Sequence, residues 1–319
     1  MKISDIYNIY KKYKKTYKNV LSVMWNLYQK SDLMCVVFRD GTCEKLSPES
    51  TYLLSTMVEN KVEFAKAMDA IKNNKFSGLE WYEFNHILSC GVEFSQALEL
   101  IKDIIKINQN EKLTYKNKEV IIHGIKDNGD LLAVFIFEEY KFLNVKDKVI
   151  IDIGANICDT AIYFALNGAK KVIALEPYPY SFKMAIKNVK ENNLDDMIEI
   201  LNAGYGKGGE ILIDENFKSN AGTSLKSSEN GANIKIYSLD SLIKKFSLEE
   251  AILKMDCEGC EYNILNEDSS LLAKFSQIQI EYHNGYKRLV KKLIKAGFDV
   301  KYTLPKVNEI VGYIYASKP

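Results

Sequence analysis

From Lys112 onward the chain alternates between strand-like and helix-like runs, and no other feature restricts its fold so strongly. Strands are expected near 149–153, 172–176, 198–202, 251–256, 277–282, 298–302 and 311–316, and helices near 159–167, 179–192, 238–246, 260–266 and 285–296. Strand and helix taking turns at this spacing argue for an α/β architecture: a mostly parallel sheet with helices on both faces. The last two strands are separated only by Thr303 to Ile310, too short a connection for a helical crossover, so they must pair antiparallel. Ahead of the alternation, "LTYKNKEVIIHG" reads as a hairpin turning at Lys116-Asn117-Lys118, and "DLLAVFIF" as a further strand. "GEILIDENF" and "NIKIYSL" read as extra strands flanking a polar, glycine-bearing loop.

The texture before residue 110 is different. Ile3, Ile6, Tyr7, Tyr10, Tyr17, Val20, Leu21 and Met24 recur at spacings of three and four, one face of a single long helix. A short strand in "LMCVVFRDG" follows, then Ser47 as an N-cap with Pro48 at the first helical position, and further amphipathic helices to about Gln109. Two parts are therefore expected: a mainly helical region, 1–110, that shapes a substrate pocket or makes an oligomer contact, and an α/β domain, 111–319.

Composition narrows the partners. A formal net charge of +1 supplies no global pull toward nucleic acid or acidic lipid. No apolar run approaches the ~20 residues of a membrane span, and the first residues lack a signal-peptide core, so a cytoplasmic protein is expected. The six cysteines are expected as thiols. Cys257 and Cys260 form a CxxC, but no second CxxC or CxxH completes a zinc site, and neighbouring carboxylates do not favour a thiolate. The lysines that alternate with tyrosines between Lys11 and Lys18 read as a solvated face over packing tyrosines.

"VIIDIGANICDT", Val149 to Thr160, delivers a hydrophobic strand into a turn with a single glycine. In open α/β sheets ligands bind beyond the carboxyl ends of strands, where the strand order reverses. Gly154 allows a tight turn with close backbone approach, and Asp159 is placed to cap the following helix. The next strand ends at Glu176, 22 residues after Gly154, where a carboxylate can accept both hydroxyls of a ribose. A dinucleotide would want two more glycines to cradle its pyrophosphate, and Ala155, Asn156 and Cys158 stand there instead. A phosphate-free sulfonium such as S-adenosylmethionine suits the acidic turn better.

These stretches, with "ILNAGYG", "LKMDCEGCEYNIL" and "IQIEYH", resemble the FkbM-type family of class I S-adenosylmethionine-dependent methyltransferases over about residues 112 to 316. The resemblance implies a Rossmann-like, seven-stranded sheet and transfer of a methyl group to a hydroxyl, on a small molecule, a sugar or a glycan. It implies that Gly154, Ala155 and Asn156 line the methionine portion, Glu176 holds the ribose, Pro177 shapes the adenine edge, and Asn202 and Ala203 contact adenine. Asp152, Thr160 and Asp256 complete the expected cofactor contacts. Family members typically carry glycine where this chain has Cys158. A non-catalytic adenosine-binding module and a nucleic-acid methyltransferase are the alternatives.

Asp256 ends the strand beside the glycine turn, and Glu258 and Glu261 follow it. Acids at a helix start favour its dipole, which is account enough for Glu261. Gln279, Glu281 and His283 share one strand face, so Glu281 is placed to orient His283. Histidine titrates near neutrality, which suits a general base, with Asp256 and Glu258 positioning acceptor or base. The other histidines, His86 and His123, read as structural or surface groups. Lys254 is expected to pair with Asp256. The cluster of Asp256, Glu258, Glu281 and His283 suits Mg²⁺ or Mn²⁺, but the sequence assigns no metal.

Overall fold

The computed structural model describes residues 3–29, 31–74, 76, 78–125, 129–220, 222–305 and 311–319. The chain divides into two units, Met1–Gln109 and Asn110–Pro319. The first holds helices α1 (Ile3–Thr16) and α2 (Val20–Tyr28), the hairpin β1 (Met34–Val37) and β2 (Cys43–Leu46), and helices α3 (Pro48–Glu59), α4 (Phe64–Asn73), α5 (Gly78–Ser89) and α6 (Phe94–Asn110). Ser47 caps α3 through its hydroxyl, with Pro48 in the first turn, as its sequence signature requires.

The single long helix expected at the start is instead broken between Thr16 and Val20. Lys18 N–H donates to Val37 O, and the Asn19 side chain accepts from Val37 N–H and donates to Cys35 O. The hairpin thus captures backbone groups the helix would have used. Tyr13 and Tyr17 are buried while Lys12 lies over the Tyr52 ring, so here the tyrosines do pack.

The second unit opens with the hairpin β3 (Lys112–Tyr115) and β4 (Lys118–Ile121). Lys116 and Asn117 both take positive φ at its tip, the backbone that twisted two-residue hairpins demand. "DLLAVFIF" is not a strand: Leu132–Ile136 forms a π-helical turn, with Ala133 N–H donating to the Asp130 carboxylate at its start. A short apolar run without alternation suits a buried helical turn as well as a strand.

The alternating region then runs β5 (Val149–Ile153), α7 (Asp159–Leu166), β6 (Lys171–Leu175), α8 (Pro179–Glu191), β7 (Ile198–Leu201), β8 (Ala203–Tyr205), β9 (Gly209–Ile213), β10 (Ala232–Tyr237), α9 (Leu239–Phe246), β11 (Ala251–Met255), a 3₁₀ turn (Cys260–Asn266), α10 (Ser269–Leu272), β12 (Phe275–Tyr282), α11 (Lys287–Lys295), β13 (Asp299–Tyr302) and β14 (Gly312–Ser317). Seven strands form one sheet in the order β13-β14-β12-β11-β5-β6-β7. All are parallel except β14, which runs antiparallel to both β12 and β13. The link between the last two strands lies partly outside the described residues. Every residue of β11 is buried, as are Ile150, Ile151 and Ile153 of β5. Near-continuous apolar runs of this kind are what a sheet covered on both faces needs. Strand order reverses between β5 and β11, and β8, β10 and β9 form a small second sheet. His123 bridges Glu111 and Glu191, fastening the start of the unit to α8.

Candidate active site

The parallel register sets Lys254 of β11 directly opposite Asp152 of β5. Its ammonium lies 2.9 Å from Asp152 Oδ1 and donates to Gly154 O at 3.0 Å, while Thr160 Oγ1 donates to Asp152 Oδ2 at 2.6 Å. Lys254 therefore pairs across the sheet and not with Asp256, because adjacent strands are ~4.8 Å apart while residues i and i+2 of one strand are ~6.6 Å apart. Burial alone would lower the ammonium's pKa, but Asp152, then Asp256 and Asp159, outweigh it and raise it.

This buried pair holds the turn. Gly154 sits at φ +79°, and a Cβ there would fall 1.8 Å from Asp256 O, so the close approach that requires glycine is the carbonyl at the end of the neighbouring strand β11. Asn156 and Cys158 also take left-handed backbone, at φ +46° and +66°. Cys158 thus occupies a conformation glycine adopts freely, at a cost of ~1 kcal/mol for a side chain. It fills the N-cap position of α7 without a side-chain cap. Asp159, expected as that cap, is the first helical residue. Its Oδ2 accepts from Asp130 N–H at 2.8 Å, and burial pushes its carboxyl up to about 6.

Glu176 follows β6 and is 5% exposed. Its two oxygens accept from Asn156 N–H at 2.9 Å and Tyr178 N–H at 2.8 Å. Burial raises its carboxyl to about 7 in spite of those two bonds.

A cavity opens beyond the carboxyl ends of β5, β6 and β11, the position that reversal of strand order defines. Gly154, Asn156, Thr160, Glu176, Pro177, Ala203, Asp256 and Glu258 line it. Four expected residues stay outside its wall. Asp152 is locked by Lys254. Ala155 is buried behind the turn, its N–H given to Leu175 O. Asn202 clamps the backbone, donating to Glu176 O at 2.9 Å and Pro177 O at 3.0 Å. His283 lies behind Asp256 and Glu258. Sequence reasoning missed Tyr178, Ser181 and Ser219, which line the cavity too. Tyr178 donates to Ser224 O, and Ser181 and Ser219 share a buried hydroxyl contact of 2.7 Å, so the loop after β9 is pinned over the opening. The polar, glycine-bearing composition of that loop was its one signal.

At the acid-rich end, Glu258 and Gly259 both take positive φ, at +54° and +114°. The turn they make brings the Cα atoms of Cys257 and Cys260 to 5.4 Å, and the two are joined as a disulfide, which corrects the expectation of thiols at this pair. Glu261 is likewise no solvent-facing dipole partner. It is fully buried and accepts from Gly259 N–H at 2.8 Å and from His283 N–H at 3.1 Å, with His283 Nδ1 also at 3.1 Å. Glu261, not Glu281, orients the imidazole. Burial would lower the pKa of His283, but Glu258, Glu261 and Asp256 outweigh it and lift the imidazole to about 10. Burial raises the carboxyls of Asp256 and Glu281 as well.

A seven-stranded sheet in this order, with one antiparallel strand inserted near its edge and a cavity where the order reverses, is the class I Rossmann-like methyltransferase fold. Residues 152–300 match the methyltransferase FkbM domain. The cofactor this match points to is S-adenosylmethionine. The chain is similar to uncharacterized protein 158B of Sulfolobus islandicus rod-shaped virus 1, with 30% identity over 46% of this chain and 66% of that protein. It is also similar to tRNA(Phe) (4-demethylwyosine(37)-C(7)) aminocarboxypropyltransferase of Pyrococcus horikoshii, 29% identical over 28% of this chain and 36% of that protein. The chain thus spans less than two thirds of the length of either. Methyltransferase FkbM of Methylobacillus flagellatus aligns over 84% of this chain and 58% of its own, at 12% identity and a TM-score of 0.42.

The residues present fit the cofactor. Asp130, Asp159, Glu176, Asp256, Glu258 and Glu281 line the cavity, against one lysine that is already ion-paired. Such a wall favours a cationic guest and opposes a phosphate. Among the described residues no helix is long and apolar enough to cross a membrane.

Proposed function

We propose that this protein transfers a methyl group from S-adenosylmethionine to a hydroxyl of a sugar or other small acceptor in the cytoplasm. The observation that carries the reading is the acid-walled cavity at the β5–β11 crevice, with Glu176 at its ribose end and no free cation on its described wall. The bound cofactor supplies an electrophilic methyl group. Glu176 receives the ribose hydroxyls, Pro177 and Ala203 border the adenine, and Gly154 and Asn156 face the methionine portion. Asp256 and Glu258 position the acceptor; much of the rate comes from holding donor and acceptor in line. Glu258, which lines the cavity 3.4 Å from His283 Nε2, passes the acceptor's proton to His283, whose neutral form its acidic neighbours make scarce at neutral pH. His283→Ala should cut turnover at least ~100-fold, the usual worth of a placed base, with cofactor affinity unchanged. Unchanged turnover would remove the residue from this role.

Calorimetry with S-adenosylmethionine, S-adenosylhomocysteine and NAD tests the cofactor assignment. The first two should bind and NAD should not; NAD binding alone sinks the reading. Labelled methyl transfer onto sugars, glycans and tRNA then separates acceptors. Transfer to tRNA, the substrate named for one relative, would favour the nucleic-acid alternative over a hydroxyl on a small molecule. The N-terminal unit remains the candidate for acceptor shaping or self-association. The exposed Leu21, Trp25 and Tyr28 form one stripe of α2, which supports a homo-oligomer contact. If so, Trp25→Glu should lower the sedimenting mass.

A further inference from the structure

Asp256, Glu258 and His283 converge from the ends of β11 and β12 in a way that positioning an acceptor does not require. One ligand atom from each lies within 4.8 Å of the other two. His283 Nε2 is 3.4 Å from Glu258 Oε1 and 3.9 Å from Asp256 Oδ1. For bonds of ~2.1 Å to a metal, neighbouring ligand atoms lie ~3.4 Å apart in a tetrahedron and ~3.0 Å (cis) to ~4.2 Å (trans) in an octahedron.

A second feature is independent of that convergence. His283 is nine-tenths buried, and its far side is committed: Nδ1 points at the fully buried Glu261, which also holds the residue's own backbone N–H. A carboxylate behind Nδ1 makes that nitrogen the donor and leaves Nε2 as the atom that faces Asp256 and Glu258. An imidazole backed in this way is the recurrent arrangement of metal-binding histidines. A lone pair on Nε2 turned toward two carboxylate oxygens would be repulsive, so either a proton or a metal ion stands between them, and the spacing of the three ligand atoms suits the metal ion.

We propose that Asp256, Glu258 and His283 bind a first-row divalent cation at the acceptor side of the cavity, with Glu261 as positioning residue. One imidazole and two carboxylates favour such an ion over calcium, and three protein ligands leave coordination positions open for water or a hydroxyl. What the cation does rests on the methyltransferase reading, as it would lower the pKa of an acceptor hydroxyl in place of a free base; whether it binds does not.

The test is titration of chelator-treated full-length protein with Mn²⁺, followed by electron paramagnetic resonance without cofactor, and with Co²⁺ to read nitrogen ligation in its absorption. One ion per chain is expected. His283→Gln and Glu258→Gln should each weaken binding at least 100-fold, and Glu261→Gln 10- to 100-fold with the Co²⁺ spectrum shifted, while S-adenosylhomocysteine binding to the His283 and Glu261 variants shows that they are folded. No uptake of Mn²⁺, Co²⁺ or Zn²⁺ at millimolar concentration, or uptake unchanged in the His283 and Glu258 variants, overturns the site and leaves a proton as the only cation there. Metal uptake without S-adenosylhomocysteine binding by the wild type would instead fault the methyltransferase reading alone.

Discussion

Three residues carry most of what the cavity needs. Gly154 is irreplaceable for a reason of space: an added methyl group meets the Asp256 carbonyl at 1.8 Å in a backbone that side chains already disfavour. Gly154→Ala should destabilise the protein by ~2–5 kcal/mol, the sum of overpacking and left-handed strain, read from urea midpoints. Lys254→Met leaves Asp152 as an uncompensated buried charge and should cost ~3–5 kcal/mol, with part restored by adding Asp152→Asn. Glu176 is raised by burial to about 7. A carboxyl that must be ionised to accept ribose hydroxyls is mostly protonated below that value, so S-adenosylhomocysteine affinity should fall as pH drops from 8 to 6, by up to ~10-fold per unit at the acid end. Calorimetry across that range checks it: a flat profile, or one that Glu176→Gln leaves in place, removes Glu176 from the ribose.

At the scale of elements, the turn after β11 is the least expected part. Cys257 to Cys260 closes a very small loop, so the chain-entropy view assigns its disulfide no more than ~2 kcal/mol. The double replacement Cys257→Ser/Cys260→Ser should therefore lower the urea-derived stability by no more than that; a larger loss would mean the bridge organises more than its own turn. The strands and helices of the alternating region were legible because each carries its own period and its own punctuation. The π-helical turn at Leu132–Ile136 and the break between α1 and α2 were not. The first is an apolar run that fits either structure, and the second is imposed by a hairpin distant in sequence.

For the whole molecule, the seven-stranded sheet and the entire described wall of the cavity belong to the second unit. Residues 110–319 expressed alone should unfold cooperatively and bind S-adenosylhomocysteine within a few-fold of the full chain. Loss of binding in a folded fragment would assign part of the cofactor site to the first unit.

The order of strands and helices, the antiparallel ending, the glycine turn and the acid that follows β6 were all determined by the sequence itself, because each is a local pattern of period, turn chemistry or spacing. Which charge answers which was decided only in three dimensions. Lys254 finds Asp152 because strand register sets them side by side, and His283 finds Glu261 because a turn with two left-handed residues carries that carboxylate back beneath β12. Pairings of this kind depend on distances between strands, which no one-dimensional spacing encodes.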